Sequence, residues 1–182
     1  MQLSRTDWLE QGLQLLSTEG PQHLKIDNLC KVLGVTKGSF YHHFKHHAAY
    51  VSALLEHWKN TYTQQPIQAV AGIDDPRVRS QRLSELVYLK DMRPEVAMRA
   101  WANSHSEVAA CVREVDAQRM AYLVELAKRM GTTDAQAVLL AKMAYAQLIG
   151  MQHLQAFISP ADAVQMDHAL HAMAFGNIEG AL

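Results

Sequence analysis

The sequence predicts an all-α protein. Apolar residues recur at helical spacing along the chain, recognisable stop and start residues punctuate them, and two of the predicted helices are joined by a turn of only a few residues. Trp8, Leu9, Gly12, Leu13, Leu15 and Leu16 form a first amphipathic helix that stops at Gly20-Pro21. Ile26, Leu29, Val32 and Leu33 form a second, ended by Gly34, a residue able to take the left-handed conformation of a helix C-terminus. Val35 is placed to plug the core at the turn. Thr36 is a good N-cap whose hydroxyl can satisfy an amide near Ser39, so a third helix starts there. Phe40 and Phe44, four apart, face inward and turn Lys37, Gly38, Tyr41, His42 and His43 outward. Two helices so joined make a helix-turn-helix, with the second presented to the major groove of DNA.

The remaining elements follow from punctuation. A fourth helix begins near His46 and runs through Tyr50, Leu54 and Trp58. After a loose stretch around Pro66 to Ile73, Asp75-Pro76 supplies an N-cap and a first-turn proline for a helix through Leu83, Leu86 and Val87. Pro94 restarts the chain as a short helix with Met98 and Trp101. Ser104-x-x-Glu107 reads as a capping box for a long helix ended by Gly131, and Thr133-x-x-Gln136 opens the next. Ser159-Pro160-Ala161-Asp162 starts a last helix that fades at Gly176-Asn177.

Residues 5–58 resemble the DNA-binding domain of the TetR/AcrR family of transcriptional regulators. The resemblance rests on Glu19-Gly20 at the end of the first helix, Leu33-Gly34-Val35 at the turn, and Tyr41-His42-His43-Phe44 at the end of the recognition helix. It implies that Thr36, Lys37 and Gly38 meet base edges and nearby phosphates, that Tyr41 and His43 contact phosphates, and that His42 touches either. Lys25 stands where the family often has a capping threonine, and His47-Ala48 where it often has lysine and glutamate, so His47 is carried over as a phosphate contact. Asp27 near the start of the second helix complements that helix's dipole. The division expected is residues 1–59 for DNA binding and residues 60–182 for effector binding and dimerisation.

Composition fits this picture. The chain has 182 residues with 17 Lys and Arg against 18 Asp and Glu, a net charge of −1, which favours site-specific binding over general coating of nucleic acid. Cys30 and Cys111 lack metal-ligand or redox spacing and fit a reducing compartment. The N-terminus has no apolar core for a signal peptide, and Lys142, Gln147, Gln152 and His153 interrupt the most hydrophobic helix, so a cytoplasmic protein without a membrane partner is expected.

Two further groups of residues stand out. Trp58, Tyr62, Tyr88, Met92, Met98, Trp101 and Tyr122 suit either the core or an apolar pocket with polar tips, where the family commonly receives a small-molecule effector. In the last two helices small residues alternate with large ones. Ala141, Ala144, Leu148, Met151, Leu170 and Met173 suit either the core or the four-helix bundle by which the family dimerises, and a homodimer matches a palindromic double-stranded operator. Asp116 and Arg119, three apart, read as structural neighbours. The sequence-level expectation is thus a homodimeric regulator, a repressor released by an unidentified effector, with no metal, cofactor or catalytic group. Two other readings remain open: a metal-responsive sensor built on the pairs His42, His46 and His43, His47, and a helical protein-interaction adaptor. A helical enzyme lacks a recognisable motif.

Overall fold

The computed structural model describes residues 3–175, and among them there are helices and no strand. The helices are α1 (Arg5–Glu19), α2 (Ile26–Leu33), α3 (Lys37–His43), α4 (His47–Lys59), α5 (Gln65–Ala69), α6 (Pro76–Tyr88), α7 (Arg93–Ala102), α8 (Ser106–Arg129), α9 (Asp134–His153) and α10 (Pro160–Phe175), with a 3₁₀ turn at Pro21–His23 and a π turn at Asn60–Gln64. The expected fade at Gly176-Asn177 lies outside the described residues. Among those described, no helix is long and apolar enough to cross a membrane.

The chain forms two compact units that do not follow one another in sequence: Met1–Tyr62 with Arg93–Arg113, and Thr63–Met92 with Glu114–Leu182. In the first unit α1 packs against α2 and α4 and also against α7. Its buried residues come in adjacent pairs, Trp8 and Leu9, Gly12 and Leu13, Leu15 and Leu16, which widens the apolar stripe enough to serve both sets of partners. Gly12 is required by this packing, because a Cβ there would lie 1.9 Å from the Tyr50 hydroxyl. That hydroxyl donates to the Trp8 carbonyl at 3.2 Å, and the low-dielectric surroundings hold its proton on.

In the second unit α10 packs on α6 and α9, and α5 on α6. Tyr88, Met92, Leu148, Met151 and Ala163 form a buried cluster joined by Val87, Tyr145, Ile158 and Val164. Arg119 Nε donates to Thr63 Oγ1 at 2.9 Å, and Tyr145 Oη donates to Asp116 Oδ1 at 2.5 Å. Asp116 and Arg119 are therefore structural, each through a partner far away in sequence.

The capping chemistry holds at three of the four starts where a side-chain cap was expected beyond the recognition helix. Asp75 Oδ1 accepts from the amides of Arg77 and Val78, Thr133 and Gln136 form a capping box, and Asp162 and Ser159 bond reciprocally. The fourth differs. Ser104 Oγ turns back to the Trp101 carbonyl, α8 starts at Ser106, and Glu107 accepts instead from Ser52 Oγ of α4 at 2.6 Å. A long-range partner has displaced the local box. Likewise the stretch expected to be loose after Pro66 is helical as far as Ala69, since Pro66 occupies the first turn of α5, where its missing N–H costs nothing.

Candidate nucleic-acid interface

The turn between α2 and α3 is built as its sequence demands. Gly34 has φ 67° and ψ 33°, its amide donates to the Lys31 carbonyl at 3.3 Å, and the Val35 amide donates to the Cys30 carbonyl at 2.9 Å. These two bonds are the 5→2 and 6→1 pair of a Schellman ending. Val35 is half-buried, and Cys30 takes an inward position beside Leu29 whereas Val32 faces out. Thr36 is at the N-cap with extended backbone, but its hydroxyl makes no capping bond. The Ser39 amide bonds to the Thr36 carbonyl instead, at 3.0 Å, leaving the hydroxyl facing outward chemistry.

Phe40 and Phe44 fasten α3 to the core. Phe40 is fully buried and Phe44 nearly so; their rings lie 5.3 Å apart, Trp8 meets Phe40 edge-on at 5.5 Å, and Tyr50 meets Phe44 edge-on at 5.1 Å. Such edge-to-face arrangements are the favoured ones for aromatic quadrupoles. Arg5 adds a guanidinium over the Phe44 ring at 5.3 Å. With that anchor in place Lys37, Gly38, Tyr41 and His42 are exposed, Tyr41 at 54%. His43 is half-buried, its ring 6.3 Å from that of Trp8.

Lys25, Ile26, Asp27, Lys37, Tyr41 and His47 line an open groove beside α3. Asp27 has a role beyond the helix dipole: its Oδ1 receives the Lys37 ammonium at 2.6 Å, and this hydrogen bond pushes the Lys37 pKa up. His47 Nε2 donates to the Leu24 carbonyl at 2.7 Å, since a carbonyl can only accept, which fixes the proton on that nitrogen. His46 Nδ1 accepts from the Ala49 amide and caps α4. The two histidines after the recognition helix therefore have local structural partners, a role that residue type alone did not signal. Gly38 differs from Gly12: a Cβ there would meet only Thr36 Oγ1 at 3.5 Å, an ordinary contact.

The residues expected in an effector pocket divide between the units. Trp58, Tyr62, Met98 and Trp101 belong to the first, where Trp58 and Met98 are fully buried; Tyr88, Met92 and Tyr122 belong to the second, where Tyr88 and Met92 are core. A narrow cleft in the second unit is lined by none of them. It is formed by α6, α8, α9 and α10, with Ser80, Leu83, Ser84, Leu126, Asp167 and His171 among its walls.

The six residues expected at a dimer interface also face different ways. Ala141, Leu148 and Met151 are buried within the unit, and Ala144 and Leu170 line the cleft. Met173 is 78% exposed. The exposed large apolar side chains of these helices are Val138, Leu139 and Met143 on α9 and Met166 and Met173 on α10, with Leu139 and Met143 forming one pair and Met166 and Met173 another. Spacings of four and seven put each pair on one helix face; the alternation of small and large residues in the sequence marks the inner faces as much as the outer ones.

Residues 9–54 match the model of bacterial regulatory proteins of the tetR family. No curated protein matches the chain. Three solved structures are similar in fold. A candidate transcriptional regulator from Pseudomonas aeruginosa PAO1 superposes with a TM-score of 0.74 at 20% identity, covering 94% of this chain and 90% of that one. One from Saccharomonospora viridis, in complex with choline, gives 0.76 at 16% identity over 92% and 94%. A candidate TetR-family regulator from Rhodococcus sp. gives 0.74 at 18% identity over 94% and 98%. Residues 9–54 therefore match the tetR family's regulatory proteins, and along most of its length the chain shares the helical fold of these solved regulators.

Proposed function

We propose that the protein is a homodimeric, sequence-specific repressor that leaves its operator when a small molecule binds the second compact unit. The observation that carries the DNA-reading assignment is the rigid display of α3: Phe40 and Phe44 are buried while Lys37, Gly38, Tyr41 and His42 stand in the open. Thr36, with its uncommitted hydroxyl, completes the start of the reading surface. His43 and His47 serve at its margins, His47 with its Nε2 held by the Leu24 carbonyl. In this reading residues 1–59 meet DNA, residues 60–182 receive the effector and pair the protomers, and no residue is assigned a catalytic role. Selection from a random pool of duplexes tests it. The expected product is an inverted repeat whose half-sites lie roughly 34 to 36 Å apart, one helical turn. Failure to enrich any sequence favours the interaction adaptor.

Gly38 sharpens the assignment. Glycine inside a helix costs about 1 kcal/mol relative to alanine, and no neighbouring atom of this protein requires its missing side chain. Close approach of a nucleic-acid backbone does. Gly38→Ala is expected to raise the stability of the free protein by about 0.5 to 1 kcal/mol and to weaken operator binding, opposite signs that denaturation and DNA titration read separately. Weaker stability and unchanged DNA affinity would overturn this role.

The pairing surface is assigned to Leu139, Met143, Met166 and Met173 in place of the buried Ala141, Leu148 and Met151. Met143→Arg is expected to give a monomer with unchanged helical content and an operator affinity at least about tenfold lower, because the two half-sites are no longer engaged together. Sedimentation and DNA titration check this, and a dimer of parental affinity would move the interface elsewhere. An effector that favours a different separation of the paired reading helices lowers operator affinity by its differential affinity for the two states.

A further inference from the structure

The cleft in the second unit holds a carboxylate that the protein leaves half satisfied. Asp167 of α10 is 3% exposed. One side of it is held by a hydrogen bond from Ser84, while Oδ2 is buried and accepts no hydrogen bond. His171 Nε2 lies 3.8 Å from Oδ2 and is engaged with Ser80 Oγ at 2.9 Å. Around the carboxylate the walls are hydrocarbon: Leu83, Leu123, Leu126, Leu140 and Leu170. The partly open cleft has a cavity volume of about 60 Å³, room for roughly four to six non-hydrogen atoms at about 10 to 15 Å³ each.

The charges that bear on this carboxyl make it short of a cation. Burial pushes the Asp167 pKa up, against the smaller pull of Ser84, His171 and His168. Burial equally pushes His171 down, so its imidazole is driven toward the neutral form. Arg77, which together with His168 also acts on His171, is placed over the Phe175 ring and donates to the Phe175 carbonyl. Tyr88 feels Asp167 but is kept protonated by burial and accepts from Gln147 Nε2 at 3.3 Å. A buried carboxylate oxygen that accepts no hydrogen bond costs free energy that an N–H donor carrying positive charge restores.

We infer that this cleft receives a small protonated amine with an apolar body, its ammonium group on Asp167 Oδ2 and its hydrocarbon against the leucines. The inference rests on the effector reading above in placing that effector in the second unit, and it names the effector's chemical class. Ser80 and His171 flank the head group, and a neutral ligand of the same shape gains the hydrocarbon contacts but no ion pair.

The test measures calorimetric binding of isobutylamine and of its neutral counterpart isobutanol to the full chain at pH 7.5. The amine is expected to bind once per chain and at least tenfold tighter than the alcohol. Asp167→Asn is expected to bring the amine down to the alcohol's level. Equal affinities for the parent, binding of neither compound, or an amine affinity unchanged in Asp167→Asn overturns the inference. If Asp167→Asn fails to fold, the amine-to-alcohol ratio on the parent decides, with Ala144→Leu, which fills the cleft, expected to abolish amine binding and overturning the site if it does not. Operator release is measured separately. An amine that binds and leaves DNA affinity unchanged upholds the site and overturns the effector reading, whereas release by a different compound class without amine binding does the reverse.

Discussion

Phe40→Ala is expected to lower the stability of the first unit by about 3 to 5 kcal/mol, the usual cost of removing a fully buried aromatic ring. The ring is fully buried and lies within 5.7 Å of the ring centroids of Trp8, Phe44 and Tyr50, so its loss opens a cavity in the middle of an aromatic cluster rather than at its edge. Because folded domains are stable by only about 5 to 15 kcal/mol, the variant sits near the threshold of unfolding. Denaturant titration followed by tryptophan fluorescence checks it, and a midpoint within error of the parent would contradict the assignment of the inner face. Operator binding should fall in step with the folded fraction, not ahead of it. Tyr41 is the internal contrast: its neighbour in sequence, touching Phe40 edge-on at 5.6 Å but more than half exposed, it should cost far less when truncated.

Lys37→Ala and Tyr41→Ala are each expected to weaken operator binding about tenfold or more, equivalent to about 1.4 kcal/mol, with helical content and dimerisation unchanged. For Lys37 the slope of log affinity against log salt should flatten by about one unit, the signature of one lost phosphate neutralisation. The Asp27 ion pair gives this prediction a second arm. Removing the lysine leaves Asp27 bare on the same face, adding repulsion toward DNA, whereas Asp27→Asn frees the ammonium and is expected to strengthen binding. Because both partners of this pair are well exposed, neither change should alter stability measurably. If Lys37→Ala and Tyr41→Ala both bind like the parent, the groove assignment is wrong.

The helix-turn-helix was legible because its rules are local. A left-handed glycine, an N-cap position and two phenylalanines four apart determine the turn and the inward face within eleven residues, and nothing distant overrides them. Elsewhere the sequence named elements correctly but not their neighbours. α7 reads as a short helix after Pro94, yet its partner α1 lies some eighty residues earlier, and no periodicity carries that information. The same limit explains Ser104 and Glu107, where a hydroxyl from α4 outcompeted a local cap. In the last two helices the alternation of alanine with larger residues fits the core and an interface equally well, so burial was needed to separate Met151 from Met143. Among the histidines, the resemblance cast His47 as a phosphate contact and the spacing left His46 and His47 open to a metal, but both turned out to hold backbone groups. Asp167 was invisible for a related reason: one aspartate in an amphipathic helix reads as a solvated residue until its surroundings are known.

The discontinuity of the first unit bears on how the protein is made. Helices α1 to α4 leave the ribosome first, but the unit is complete only when Arg93–Arg113 joins them. At about 5 to 20 residues per second the intervening stretch takes roughly 1.5 to 6 seconds to synthesise. During that interval the α7-facing side of α1, including part of its wide apolar stripe, has no partner from its own chain. The reading head therefore matures after the stretch between Thr63 and Met92 has emerged, and a nascent or prematurely terminated chain that ends before α7 carries the recognition helix without the support that finishes its scaffold. Exchange of reading heads between relatives by recombination faces the same constraint: a crossover after α4 alone would separate α1 from the α7 surface with which it is packed.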